Sequence, residues 1–217
     1  TPLMAKLSDW FGRRAIYTLD VGLFAVGSLV APLSHGTAAF WLLMLGRAVQ
    51  GLGAGGIFPV ASAVIGDTFP PERRGRALGL IGAVFGLAFL IGPIVGGLLL
   101  PLGWPWLFYL NLPIAAVVIV LGWRLLPAEP VARGARFDLM GMAVLGVALA
   151  GLALGVSDLD TSRLGASLAS PPVFVPLLIS VLAWVVLLWH ERRVADPVFP
   201  AGLLRNRQMA VAFGLTA

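Results

Sequence analysis

Three groups of residues in this chain have types and spacing that could do chemistry. The first is Arg47, in the run LLMLGRAVQGLGAGG, with Gln50 and Gly51 three and four positions further on. In a helix such positions share one face. A guanidinium set deep in a bilayer costs at least about 2.5–3.5 kcal/mol on insertion scales, so Arg47 must face protein or a water-filled cavity. It either lines a pathway or ties two helices together. Gly51, Gly53, Gly55 and Gly56 would let another backbone approach closely.

The second group is the run AKLSDWFGRRAIY, which holds Leu7, Asp9, Gly12, Arg13 and Arg14. An acid, a glycine and two adjacent arginines suit a tight connection between helix ends. Asp9 can accept hydrogen bonds from a helix N-terminus, where negative charge is favoured. Gly12 permits the turn, and Arg13 and Arg14 face anionic lipid or a neighbouring carboxylate. Alone, such a loop also reads as a basic anchor. The third group, GLIGAVFGLAFLIGPIVGG, places its poorest helix formers inside an apolar run. Gly82 with Gly86, and Gly92 with Gly96, form small-xxx-small pairs for close helix contact. Pro93 removes one backbone hydrogen bond and bends the helix, which neighbours in a membrane tolerate. The result is either a helix that slides against another bundle or a static packing face.

Among the remaining ionisable residues, Asp20 lies about six residues, roughly 9 Å, into an apolar span. It either reaches back to a cytoplasmic arginine or lines an inner cavity, and such a role is preferred to that of proton carrier. Asp138 is expected to cap a helix, and Asp158, Asp160 and Arg163 to form a solvated outer turn. Cysteine is absent, which excludes disulfides, thiol nucleophiles and cysteine metal sites. His35 and His190 fall in different loops, so no metal site or cofactor is expected. No nucleophile–base pair or phosphate loop appears, and an enzyme is not expected.

The elements that must position these residues follow from composition. Hydrophobic residues make up 59% of the 217 and charged residues 12%, about half the usual share for soluble domains. With a mean hydropathy of +0.95, the solvent for such a chain is lipid. The net charge of +5 then belongs to loops that hold orientation, not to nucleic acid. Six spans of about 20 apolar residues can be read, at Ala15–Leu33, Ala39–Ile65, Ala77–Leu100, Leu107–Leu126, Leu139–Val156 and Pro172–Trp189. A seventh apolar run opens near Met209.

One alternating set of loops carries Lys6, Arg13, Arg14, Arg73, Arg74, Arg76, Arg124, Arg133, Arg136, Arg192, Arg193, Arg205 and Arg207, while the other carries only Arg163. That asymmetry puts the first set in the cytoplasm. Trp104, Trp106 and Tyr109 then mark the outer interface, Trp123 and Trp189 the inner one. The chain opens on Thr-Pro-Leu and stops a few residues into the seventh run, as an internal fragment of a longer protein would.

These segments, in this order, resemble the major facilitator superfamily of secondary transporters, specifically its drug:proton antiporters. Leu7, Asp9, Gly12, Arg13 and Arg14 match the family's cytoplasmic motif after helix 2, with Ala5 in place of its first glycine. Leu45, Gly46, Arg47, Gln50, Gly51 and Gly53 match the helix 4 motif, whose arginine is implicated in proton coupling. Gly79, Gly92, Pro93, Gly96 and Gly97 match the antiporter motif of helix 5, with Ala88 in place of one glycine. The runs WPWLFYLNLPIA and RFDLMGMAVLG look like the fourteen-helix branch. The D-x-x-G-R-R loop does not recur in residues 190–208, where a twelve-helix transporter would repeat it.

The resemblance implies an all-α polytopic membrane protein of major facilitator fold, here covering about helices 3–8 of 14. Residues 1–126 would hold the end of helix 2 and helices 3–6, residues 127–208 two additional central helices, and residues 209–217 the start of the C-terminal bundle. It further implies proton-coupled export of hydrophobic or cationic compounds by alternating access across a bacterial cytoplasmic membrane. Arg47, Gln50, Gly51 and Asp20 would serve proton coupling or the translocation pathway. Asp9 and Arg13 would hold a cytoplasmic gate in one state, and helix 5 would seal against proton leak. The expected partners are a small substrate, protons and the bilayer, with a monomer as the oligomeric expectation. An importer or lipid transporter of the same fold, or a non-transporting scaffold, is the alternative.

Overall fold

The computed structural model describes residues 2–36, 39–126 and 138–194. The basic residues Arg133, Arg136, Arg205 and Arg207 and the apolar run from Met209 lie outside them, as does most of the 190–208 stretch. The described residues are helical almost throughout, in nine α-helices: α1 (Pro2–Phe11), α2 (Arg13–Val30), α3 (Phe40–Thr68), α4 (Pro71–Leu99), α5 (Trp106–Tyr109), α6 (Asn111–Leu125), α7 (Leu139–Ser157), α8 (Leu164–Leu168) and α9 (Pro171–Glu191). Six helical segments are long and apolar enough to cross a membrane: Arg13–Ser34, Phe40–Thr68, Pro71–Leu102, Trp106–Leu125, Leu139–Ser157 and Pro171–Glu191. These are the six spans expected from sequence, with ends moved by a few residues. The largest shift is at α4, which begins in the charged turn at Pro71 and not at Ala77, because proline suits a first helical position. Both Pro59 and Pro93 lie inside continuous helices.

Apolar side chains face outward on every span, as a lipid-facing surface requires; Phe89 is 83% exposed. A small core built on Met4, Ile16 and Val60, with Leu7, Tyr17 and Leu23 against it, is closed off in the first unit. Association in lipid rests on close van der Waals packing and interhelical hydrogen bonds, because burying apolar surface there gains nothing over contact with acyl chains. The helix contacts follow that rule.

The chain forms two compact units, Thr1–Arg133 and Gly134–Ala217. In the first, α2 lies on α3 with backbones nearly touching. A methyl group at Gly27 would meet the Gln50 nitrogen, one at Gly46 would meet Ala31, and one at Gly53 would meet the Asp20 carbonyl and the Phe24 nitrogen. In the second unit, α7 and α9 pack through Gly151 against the Pro176 carbonyl and Gly155 against Leu177. The Ser180 hydroxyl donates to the Ala148 carbonyl at 2.7 Å, crossing that seam. Asp138 caps α7 by accepting from the Gly141 amide at 2.8 Å, and its Oδ1 lies 2.9 Å from His190 Nε2 on α9.

By contrast, α4 has no buried residue, and its glycines at 79, 82, 86, 92, 96 and 97 have open space where a side chain would go. The close partner expected for this helix is not supplied by the described residues. Its contact with α3 includes an edge-to-face pair of Phe58 and Phe85, with centroids 5.9 Å apart.

Candidate translocation cleft and charge cluster

The helical spacing that put Gln50 on the face of Arg47 produces a direct contact. Arg47 Nη1 donates to Gln50 Oε1 at 2.8 Å. The buried Gln50 amide in turn donates to Ser28 Oγ on α2, also at 2.8 Å. Ser28 closes the chain by donating to the Phe24 carbonyl at 2.9 Å, and Asn111 at the start of α6 donates to the same hydroxyl at 3.4 Å. The Arg47 guanidinium also lies 6.0 Å from the centre of the Phe108 ring, at the limit of cation–π range. Three elements of one unit are therefore tied around a single charge.

This network borders a cleft of about 240 Å³ lined by Phe24, Arg47, Gln50, Gly51, Ala54 and Asn111. Gly51 has open space beside it, unlike Gly53 and Gly56. Three of the four glycines anticipated as one packing stripe are thus divided in use: Gly53 and Gly56 seat α2, while Gly51 lines the cleft.

Asp20 sits apart from this cleft. It is fully buried in the α2–α3 seam, with its carboxyl in the notch left by the missing side chain of Gly56. Gly56 lies six residues beyond Gln50, about 9 Å along the helix. Neither Asp20 oxygen has a hydrogen-bond partner among the described residues, and no arginine of that set pairs with it. The anticipated reach back to a cytoplasmic arginine does not occur there.

At the opposite end of α3, the charged motif is more helical than a loop reading implies. Leu7 and Asp9 are on α1, Arg13 and Arg14 open α2, and Gly12 alone separates the helices, with φ of 93°. That value lies where a side chain is strained and glycine is not. Arg13 is held three ways: it pairs with Asp9, donates through Nη1 to Ser8 Oγ at 2.6 Å, and donates through Nε to Asp67 Oδ2 at 3.0 Å. Arg14 instead lies over the Trp123 ring of α6, 4.3 Å from its centre. One guanidinium thus clamps α1 to the end of α3, and its neighbour clamps α2 to α6.

Ser28, Asn111 and Asp67 were not singled out from sequence. Asp67 had a visible signal, an acid at the end of the second span close to three arginines. Asn111 stood inside a quoted signature without a role, and a lone serine such as Ser28 in an apolar run gives almost no signal.

Residues 1–189 match the family model described as the Major Facilitator Superfamily. The chain belongs to the Major Facilitator Superfamily. Within it, the chain is 36% identical over 222 residues to the uncharacterized MFS-type transporter YfiU of Bacillus subtilis, covering 99% of this chain and 42% of that protein. It is 30% identical to Multidrug resistance protein 3 of the same organism, over 97% of this chain and 40% of that protein. It is also 32% identical to the MFS-type efflux pump MMF1 of Mycosarcoma maydis, over 98% of this chain and 35% of that one. The chain therefore spans about two fifths of the length of these superfamily relatives. It is a stretch of a multi-pass membrane transporter fold, and the cleft and the charge cluster are two features of that stretch.

Proposed function

We propose that the protein containing this chain is a proton-coupled exporter of hydrophobic or cationic compounds, of the fourteen-helix branch, working by alternating access. The observation that carries this reading is the hydrogen-bonded Arg47–Gln50–Ser28 chain bordering an open cleft. A guanidinium at membrane depth is costly unless it is paired or wetted by a cavity, and intramembrane charges mark substrate and ion pathways. Relatives named for multidrug resistance and efflux support the direction of transport.

In this mechanism Gln50, itself held by Ser28, holds one edge of the guanidinium, so that its remaining donors face the cleft. Arg47 then favours the ionised form of an acidic partner brought near it, and releases that influence when the two separate. That partner would come from the part of the protein beyond this chain. Asp20 serves this unit as a buried polar contact of the α2–α3 seam, its carboxyl seated in the notch at Gly56. Asp9, Arg13 and Asp67 form the cytoplasmic gate, whose contacts break as the basic-loop side opens. Gly79, Ala88, Gly92, Pro93, Gly96 and Gly97 present a smooth side of α4 for the opposing bundle and limit proton leak.

Arg47→Ala in the full-length protein should abolish substrate-driven proton flux in vesicles while the protein still inserts. Wild-type flux in that variant would remove Arg47 from coupling. Flux with substrate and proton moving in the same direction would favour an importer, and no substrate-dependent flux in the wild type a scaffold.

A further inference from the structure

The basic trio at the start of α4 has a division of labour that transport does not use. Arg74 is folded onto the preceding turn, donating through Nε to the Phe69 carbonyl at 2.9 Å. Asp67 is taken by Arg13. Arg73 and Arg76 are exposed, and their side chains have no hydrogen bond or ion pair among the described residues. Glu72, four residues before Arg76, makes no ion pair with it within that set. Two uncompensated guanidiniums therefore share one face, three residues apart.

They line a cleft of about 720 Å³ together with Phe69, Ala77 and Leu80. Positions 73, 76, 77 and 80 follow one helical stripe. Leu80 lies about 6 Å deeper along the axis than Arg76, and Val84, Leu87 and Ile91 continue the stripe, each at least half exposed. The headgroup layer on each side of a bilayer is about 5–8 Å thick, and Arg73 and Arg76 are about 4.5 Å apart along the axis. The stripe thus carries positive charge at headgroup depth and only aliphatic surface below it.

We propose that this stripe is a binding site for one anionic phospholipid, its phosphate held by Arg73 and Arg76 and one acyl chain lying along Ala77, Leu80, Val84 and Leu87. Charge complementarity selects the occupant. A substrate would need no acyl-length track, and a free phosphate would gain nothing from the aliphatic one. Guanidinium suits the role because it forms paired hydrogen bonds to phosphate oxygens.

The test is native mass spectrometry of the full-length protein in micelles doped with either phosphatidylglycerol or phosphatidylcholine of equal chain length. Wild type should retain at least one phosphatidylglycerol adduct in clear preference to phosphatidylcholine. Arg73→Gln combined with Arg76→Gln should lower that preference about tenfold, while Arg73→Lys combined with Arg76→Lys keeps most of it. A tenth molar inorganic phosphate should displace little of the lipid. Retention unchanged in the double glutamine variant, or absent in wild type because another part of the protein occupies the stripe, would overturn the site. Full displacement by phosphate would reduce it to a simple anion site and overturn the acyl track. None of these outcomes depends on whether the protein exports anything.

Discussion

Gly56 and Gly51 lie five residues apart on α3 and meet opposite demands. A side chain at Gly56 has to displace the Asp20 carboxyl, whereas one at Gly51 enters open space. Gly56→Leu should therefore destabilise the full-length protein by about 1–3 kcal/mol or more, and Gly51→Ala should leave its melting temperature nearly unchanged. Thermal unfolding in detergent checks both, and an equal loss at the two positions would contradict the close α2–α3 seam. The Arg13 contacts obey another rule. Asp67 is 60% exposed at its side chain, so Asp67→Asn should cost under about 1 kcal/mol. Arg13→Gln should cost more, because it also releases Ser8 and Asp9.

At the scale of helices and turns, caps and pairs fix where the elements begin. Asp138 both caps α7 and meets His190 on α9. Asp138→Ala should destabilise its unit by about 0.5–2 kcal/mol through the lost cap alone, and Asp138→Asn by less, because asparagine also caps. Asp160 heads the turn between α7 and α8, accepting from the Ser162 hydroxyl at 2.6 Å and from the Ser162 amide at 2.9 Å. Those Ser162 bonds, with a smaller one from the Arg163 backbone, hold its carboxyl below the ordinary range. A depressed folded value means the turn gains order above the ordinary carboxylate range and loses it as pH falls through the lowered value. The protection factor of the Ser162 amide should therefore fall in acid, and Asp160→Asn should flatten that dependence. Six spans, the Asp138 cap and the shared face of Arg47 and Gln50 were legible in the sequence, because hydropathy and helical spacing are local properties. The partners were not. Whether a glycine meets a backbone (Gly53) or open space (Gly51, Gly97), and whether Ser28 or Asn111 completes a network, depends on which helices adjoin. Periodicity carries no record of that.

For the molecule as a whole, the charge asymmetry of its loops predicts a sidedness. Single cysteines placed at Arg74 and Gly165 of a full-length protein made cysteine-free should label from opposite sides of the membrane, the first from the cytoplasm. Reactivity of both from one side would remove the six-span arrangement. The bare flank of α4 gives a second outcome. Gly97→Leu should stop transport in the full-length protein, where an opposing bundle would meet it, yet leave this chain's own α2–α3 contacts intact, because nothing described lies within 4 Å of that glycine. Retained transport would mean that no close neighbour docks there. The same flank bears on how the protein is made. A span with no buried residue in its own unit is expected to leave the translocon facing lipid until a later segment covers it. Any docking on it would then be an exchange in which acyl chains are squeezed out. The speed of that step should depend on membrane fluidity, so growth temperature and lipid saturation should govern the yield of mature transporter.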